Sequence, residues 1–218
     1  MRDYNFQVDA NVSSLLEDKD YEERKNTILR LLKAFQAENV RFGMCCSFNL
    51  FLRGIVDEFH DFDFLVDEQD VPKVEDIMKQ LGATLVGQGG NGFCESNVYR
   101  HYQLERVDVD ILAGFRLVTF NTEYLYEYNQ FEIETIEIYE EERIVIPLVA
   151  AEGLYLLYYM MEGWQARRRY KRLLIGEYLE EGIKFPQILE RGLKDKIPPC
   201  IKREVRRLLD VNGVFQIS

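Results

Sequence analysis

Two short runs place carboxylates inside apolar strands. In HDFDFLVD, residues 60 to 67, Asp61 and Asp63 stand two apart among Phe62, Phe64, Leu65 and Val66. In RVDVDILAG, residues 106 to 114, Asp108 and Asp110 repeat that spacing among Val107, Val109 and Ile111. Side chains on a strand alternate between faces. Each run therefore puts two acids on one face and aliphatic or aromatic residues on the other. If the two strands are sheet neighbours, three or four carboxylates converge. Like charges at close range repel, and each is costly to desolvate. A divalent cation resolves that conflict. Mg²⁺ takes its oxygen ligands from a few carboxylates and from substrate phosphates, and two such ions can clamp the attacking and leaving oxygens of a phosphoryl displacement. An antiparallel sheet with one wet face would carry the same acids as plain solvated groups. Aspartate is depleted in strands, however, and here the pattern occurs twice.

The elements that must position these acids can be read around them. The run VRFGMCC, residues 40 to 46, suits a strand, and SFNLFLRG suits a short helix ended by Gly54. Ser47 stands at their junction. A helix N-terminus there offers unpaired N–H groups and a favourable dipole to phosphate. Ahead of this unit, Ile28, Leu31, Leu32 and Phe35 fall at helical spacing within Tyr21 to Glu38. Behind it, Pro72 opens a helix closed by Gly82, ATLVG suits a strand, and QGGNG at 88 to 92 is turn chemistry. FCESNVYRHYQL and RVDVDILAG follow as strands, and residues 131 to 147 alternate as one or two more.

After Pro147 the character changes to helices, in AEGLYLLYYMMEGW, ARRRYKRLLIGEYLEEG and PCIKREVRRLLD. The expected architecture is α+β: a mixed sheet flanked by helices over residues 1 to 147, then a helical region over 148 to 218. The strands at 61 to 66 and 106 to 112 are expected to be adjacent.

Bulk properties exclude several classes. The 218 residues are 47% hydrophobic and 30% charged, enough for a real core. A net charge of -11 argues against a general nucleic-acid binder. The four cysteines, Cys45, Cys46, Cys94 and Cys200, form no CxxC pair, so zinc ligation has no support and they read as free buried thiols in a reducing cytosol. No apolar run approaches the roughly 20 residues of a membrane span, and the N-terminus carries no signal-peptide pattern. A cytoplasmic location is the expectation. No P-loop, no GxGxxG opening a helix and no HExxH is present. His60 abuts Asp61 but reads as a surface strand-edge residue, and His101 has no evident partner. Trp164, among Tyr158, Tyr159 and Met160, reads as helical core.

The order of a small residue and serine, a short helix, a glycine turn and an Asp-x-Asp strand resembles the nucleotidyltransferase superfamily typified by DNA polymerase β, especially its small bacterial antibiotic-type members. Cys46-Ser47 stands in the place of the family's Gly-Ser, and Asp61-Phe62-Asp63 matches its paired acids after thirteen intervening residues. For the third acid, Asp110 precedes two aliphatics as the family's residue does; Asp108 is the alternative, which strand parity does not separate. PLVAAEGLYLLYYM is similar to the start of the helical part that follows the core in these members. The resemblance covers about residues 40 to 165.

It implies Mg²⁺-dependent transfer of a nucleoside monophosphate from an NTP to an acceptor hydroxyl. Asp61, Asp63 and Asp110 would be the catalytic, metal-binding acids for two ions, and Cys46 and Ser47 would bind the nucleotide. The acidic balance favours a small-molecule or protein acceptor over RNA. A nucleotide- or partner-binding protein that has lost catalysis on the same fold is the alternative. Two departures from the family stand out. Cys46 replaces glycine, and Arg167, Arg168, Arg169, Lys171 and Arg172 occupy the region where a lysine-aspartate pair often follows the core.

Overall fold

In the computed structural model, residues 19–89, 95–119, 122–139, 143–162 and 166–214 are described. Gly90 to Gly92, Cys94 and Trp164 lie outside them. The chain divides into two compact units. Among the described residues, the first contains 19–89, 96–115, 127–139 and 143–149; the second contains 95, 116–119, 122–126, 150–162 and 166–214.

The first unit is built on a seven-stranded mixed sheet. Helix α1 (Lys19–Ala37) precedes strand β1 (Phe42–Cys45), the seven-residue helix α2 (Cys46–Leu52) and strand β2 (Phe62–Val66). Helix α3 (Val71–Gln80) leads to β3 (Thr84–Gln88), β4 (Val98–Leu104) and β5 (Val107–Ala113). Strands β8 (Ile133–Tyr139) and β9 (Arg143–Val149) complete the sheet, in the order β3-β4-β5-β2-β1-β9-β8. Strands β2 and β5 are adjacent, as expected from the matched parity of their acids, and they run parallel; β1 pairs antiparallel with β2 and parallel with β9.

The apolar face of the acid strands is the core face. Phe64 packs edge-on against Phe35 of α1, with ring centroids 5.3 Å apart, and Phe42 of β1 closes the group. Phe62 meets Phe48 of α2 at 4.7 Å, and Phe59 joins both. Edge-to-face pairs of this kind suit the quadrupole of the rings. This packing fixes which way β2 faces. Slipping its register by one residue would turn the acids into the aromatic core and the phenylalanines to the acid face.

Among the described residues, the second unit contains β6 (Phe115–Thr119) paired with β7 (Thr122–Tyr126), and the helices α4 (Ala151–Met161), α5 (Ala166–Glu180), α6 (Pro186–Lys194) and α7 (Pro199–Val211). The β6–β7 pair and α6 were not expected from the sequence. Strand character extends through Pro147 to Val149, and helix resumes at Ala151. Of the cysteines expected to be buried, Cys45 is buried, Cys46 is half-buried and Cys200 is exposed, because α7 turns that position outward. Among the described residues, no helix is long and apolar enough to cross a membrane.

Candidate active site

The acids meet at one row across the sheet. The registers place Cys45 opposite Asp63, Asp63 opposite Asp110, and Asp110 opposite His101, on β1, β2, β5 and β4 in turn. Paired residues in a sheet share a face, so this row projects to one side. Asp61, at the entrance to β2, adds a third carboxylate. Among the described residues, Asp61, Asp63 and Asp110 each offer an oxygen within 4.8 Å of the other two. Asp63 is 8% exposed. The side chain of Asp110 is 16% exposed against 53% for Asp108, which lies outside the group.

The turn into α2 supplies the rest of the rim. Cys46 has φ +54°, the left-handed region that favours glycine. Ser47, next to it, is buried, and its hydroxyl donates to Asp61 Oδ1 at 3.2 Å. Behind them a buried network anchors α2. Asn49 donates from Nδ2 to the carbonyls of Met44 and Val149, at 2.8 and 2.9 Å. Arg53 donates to Asn49 Oδ1 and to the Val149 carbonyl, and pairs with Glu134 at 2.6 Å. The start of α2 is thus tied to the ends of β1 and β9, which holds the Cys46–Ser47 turn beside the acids.

Burial, chiefly, pushes the Asp110 carboxyl above the usual carboxylate range; Asp61 adds to the rise, while hydrogen bonds from His101 and Tyr99 oppose it. Tyr99 donates to Asp110 Oδ1 at 3.3 Å, and burial with the Asp110 charge pushes its phenol up to about 12. Burial also raises the Cys45 thiol, with the three acids adding to the effect.

Solved structures share this arrangement of elements. A Thermotoga maritima protein assigned as a nucleotidyltransferase matches with a TM-score of 0.54 at 17% identity, over 70% of this chain and 92% of its own. ANT(2'')-Ia in complex with adenylyl-2''-tobramycin matches with a TM-score of 0.52 at 11% identity, over 85% and 98%. The solution structure of the antibiotic-resistance factor ANT(2'')-Ia gives 0.51 at 12%, over 89% and 91%. The fold is nucleotidyltransferase-like. No family model matches the sequence, and the comparison with curated proteins found no match.

On this nucleotidyltransferase-like fold, the donor set suits a hard divalent cation. It is all carboxylate oxygen, partly buried and mutually close, and such a set is stabilised by positive charge. Asp61, Asp63 and Asp110 are the residues that would hold it. Cys46 and Ser47 stand at the turn beside them.

His101 is the residue that the sequence reading left without a partner. Its Nδ1 lies 2.6 Å from Asp110 Oδ1, and its Nε2 lies 3.8 Å from Asp108. A signal for this was present. Leu104 pairs with Val107 across the Glu105–Arg106 turn, where Glu105 has φ +57°. Counting back three residues on each strand from that tight turn brings His101 opposite Asp110.

Proposed function

We propose that the protein transfers a nucleoside monophosphate from an NTP to an acceptor hydroxyl, with Mg²⁺. One observation carries the reading: three carboxylates from adjacent strands of a nucleotidyltransferase-like fold offer oxygens within 4.8 Å of one another. Asp61, Asp63 and Asp110 hold the metal, two ions by the resemblance, which when bound neutralises the triphosphate and acidifies the acceptor hydroxyl. Cys46 and Ser47 receive the phosphates at the turn into α2. Asp110 shares in removing the acceptor's proton. Residues 1 to 147 form the nucleotidyl-transfer domain and 148 to 218 its helical companion, in a cytoplasmic protein.

The acceptor is a small molecule or a protein. The adenylyl-tobramycin complex of ANT(2'')-Ia supports the former, and the net charge of -11 speaks against a nucleic acid. A second reading, a non-catalytic nucleotide- or partner-binding protein, is favoured by Cys46, which places a side chain where the family has glycine. Thermal unfolding with each of ATP, GTP, CTP and UTP, with and without Mg²⁺, tests the nucleotide site. At least one NTP is expected to stabilise the protein only when Mg²⁺ is present. If no NTP does so, both readings of a nucleotide site fail. Release of pyrophosphate with an added acceptor then separates the enzyme from the binder.

A further inference from the structure

We infer that His101 is the positioning residue for the third carboxylate: it fixes Asp110 through Oδ1 and leaves Oδ2 for the cation. The inference rests on the metal-binding reading above. Its basis is geometric. The β4–β5 hairpin sets His101 directly opposite Asp110, and alternation turns both to the acid face. The Nδ1–Oδ1 distance of 2.6 Å is that of a short hydrogen bond, and bonds to an ionised carboxylate are the short, strong ones. With Asp110 ionised, the hydrogen comes from His101 Nδ1. Tyr99 donates to the same oxygen at 3.3 Å, from two residues along the same strand.

Oδ1 therefore has two donors supplied by β4. Neither donor belongs to the group of Asp61, Asp63 and Asp110 that offers mutually close oxygens. A carboxylate held in this way cannot rotate freely away from its neighbours, so less order is lost when a cation binds. Partners of metal ligands commonly contribute in this manner, and losing one typically costs 10- to 100-fold in metal affinity.

Substitution at His101 separates positioning from mere packing. His101→Asn keeps an N–H donor close to the place of Nδ1, whereas His101→Ala removes it. Mn²⁺ is the probe, titrated into the full-length protein without nucleotide and followed by the loss of the free-ion paramagnetic resonance signal. Circular dichroism checks the fold of each variant. The expected result is a dissociation constant about 10- to 100-fold weaker for His101→Ala, with His101→Asn restoring most of the loss.

Equal binding by His101→Ala and the parent overturns the inference while leaving the metal site intact. So does a loss in His101→Asn as large as in His101→Ala, since the donor alone would then not suffice. A parent protein that binds no Mn²⁺ overturns the metal reading itself, and the inference with it. Should His101→Ala fail to fold, Tyr99→Phe, which removes the second donor, replaces it: weaker Mn²⁺ binding supports control through Oδ1, and unchanged binding overturns it.

Discussion

Asp63 and Asp110 face each other across a parallel strand pair, and Asp61 bonds Ser47 beside them. Neutralising either member of the DFD pair removes a ligand without removing volume. Asp61→Asn and Asp63→Asn are each expected to weaken Mg²⁺-dependent nucleotide binding by about 100-fold or more, roughly 2.7 kcal/mol, with the far-ultraviolet spectrum unchanged. Calorimetric titration reads the loss; parent-like binding in either variant removes that residue from the site.

Asp110 gives a prediction in pH. Its carboxyl is raised above the ordinary 3.8 in the fold. A raised carboxyl contributes stability that is complete below the unfolded value and is lost as pH rises through the folded one. The metal-free protein at pH 7 therefore carries an ionised Asp110 that opposes folding. Asp110→Asn is expected to raise the Tm at pH 7, and the difference is expected to shrink as pH falls towards 3.8. A variant melting below the parent at pH 7 would show that the His101 and Tyr99 bonds to the carboxylate outweigh its burial.

At the scale of elements, the critical piece is the turn from β1 into α2. A non-glycine residue in the left-handed region costs about 1 kcal/mol, and Cys46 occupies that region. Cys46→Gly removes the strain but loosens the unfolded chain by a comparable amount. The expected stability change is between zero and about +1 kcal/mol. Binding of the Mg²⁺ nucleotide is expected to be equal or tighter, because glycine lets the backbone approach phosphate. Chemical denaturation and calorimetry check the two halves. A marked loss of binding would make the thiol a needed contact and end the alignment of Cys46-Ser47 with the Gly-Ser motif.

Alternation made β2 and β5 legible in the sequence, since the core face and the acid face differ sharply in chemistry. Ser47 was placed at the right turn, but its bond to Asp61 depends on the path of the chain from 53 to 61, which no periodicity describes. The Asn49–Arg53–Glu134 network is not legible in the sequence, because Glu134 comes from β8, some eighty residues on, and nothing in the local pattern marks the three polar residues as partners. The β6–β7 pair escaped notice although Tyr124 and Tyr126 alternate with Glu123 and Leu125. Helix α6 was obscured by Gly192, a poor helix former; a Cβ there would sit 2.8 Å from Leu156 Cδ1, which would have to shift.

Across the whole molecule the charge is uneven. Residues 1 to 149 hold 14 basic and 29 acidic side chains, a net of -15, whereas 150 to 218 hold 13 basic and 9 acidic, a net of +4. The acid row lies in the negative part. A nucleoside triphosphate approaching that part without a cation meets both the local carboxylates and the summed field of the surface. Screening weakens such a field over a Debye length of about 8 Å at physiological ionic strength. Free NTP is therefore expected to bind hardly at all in low salt with a chelator present, and slightly better as NaCl is raised. The Mg²⁺ complex has a smaller charge and meets carboxylates that favour it, so its binding is expected to change little or to weaken over the same range. Titrations with and without chelator from about 20 to 300 mM NaCl read the two slopes. Free nucleotide that binds tightly in low salt and weakens steeply with added NaCl would place its phosphates on a basic surface instead, and the acid row would then not be the nucleotide site.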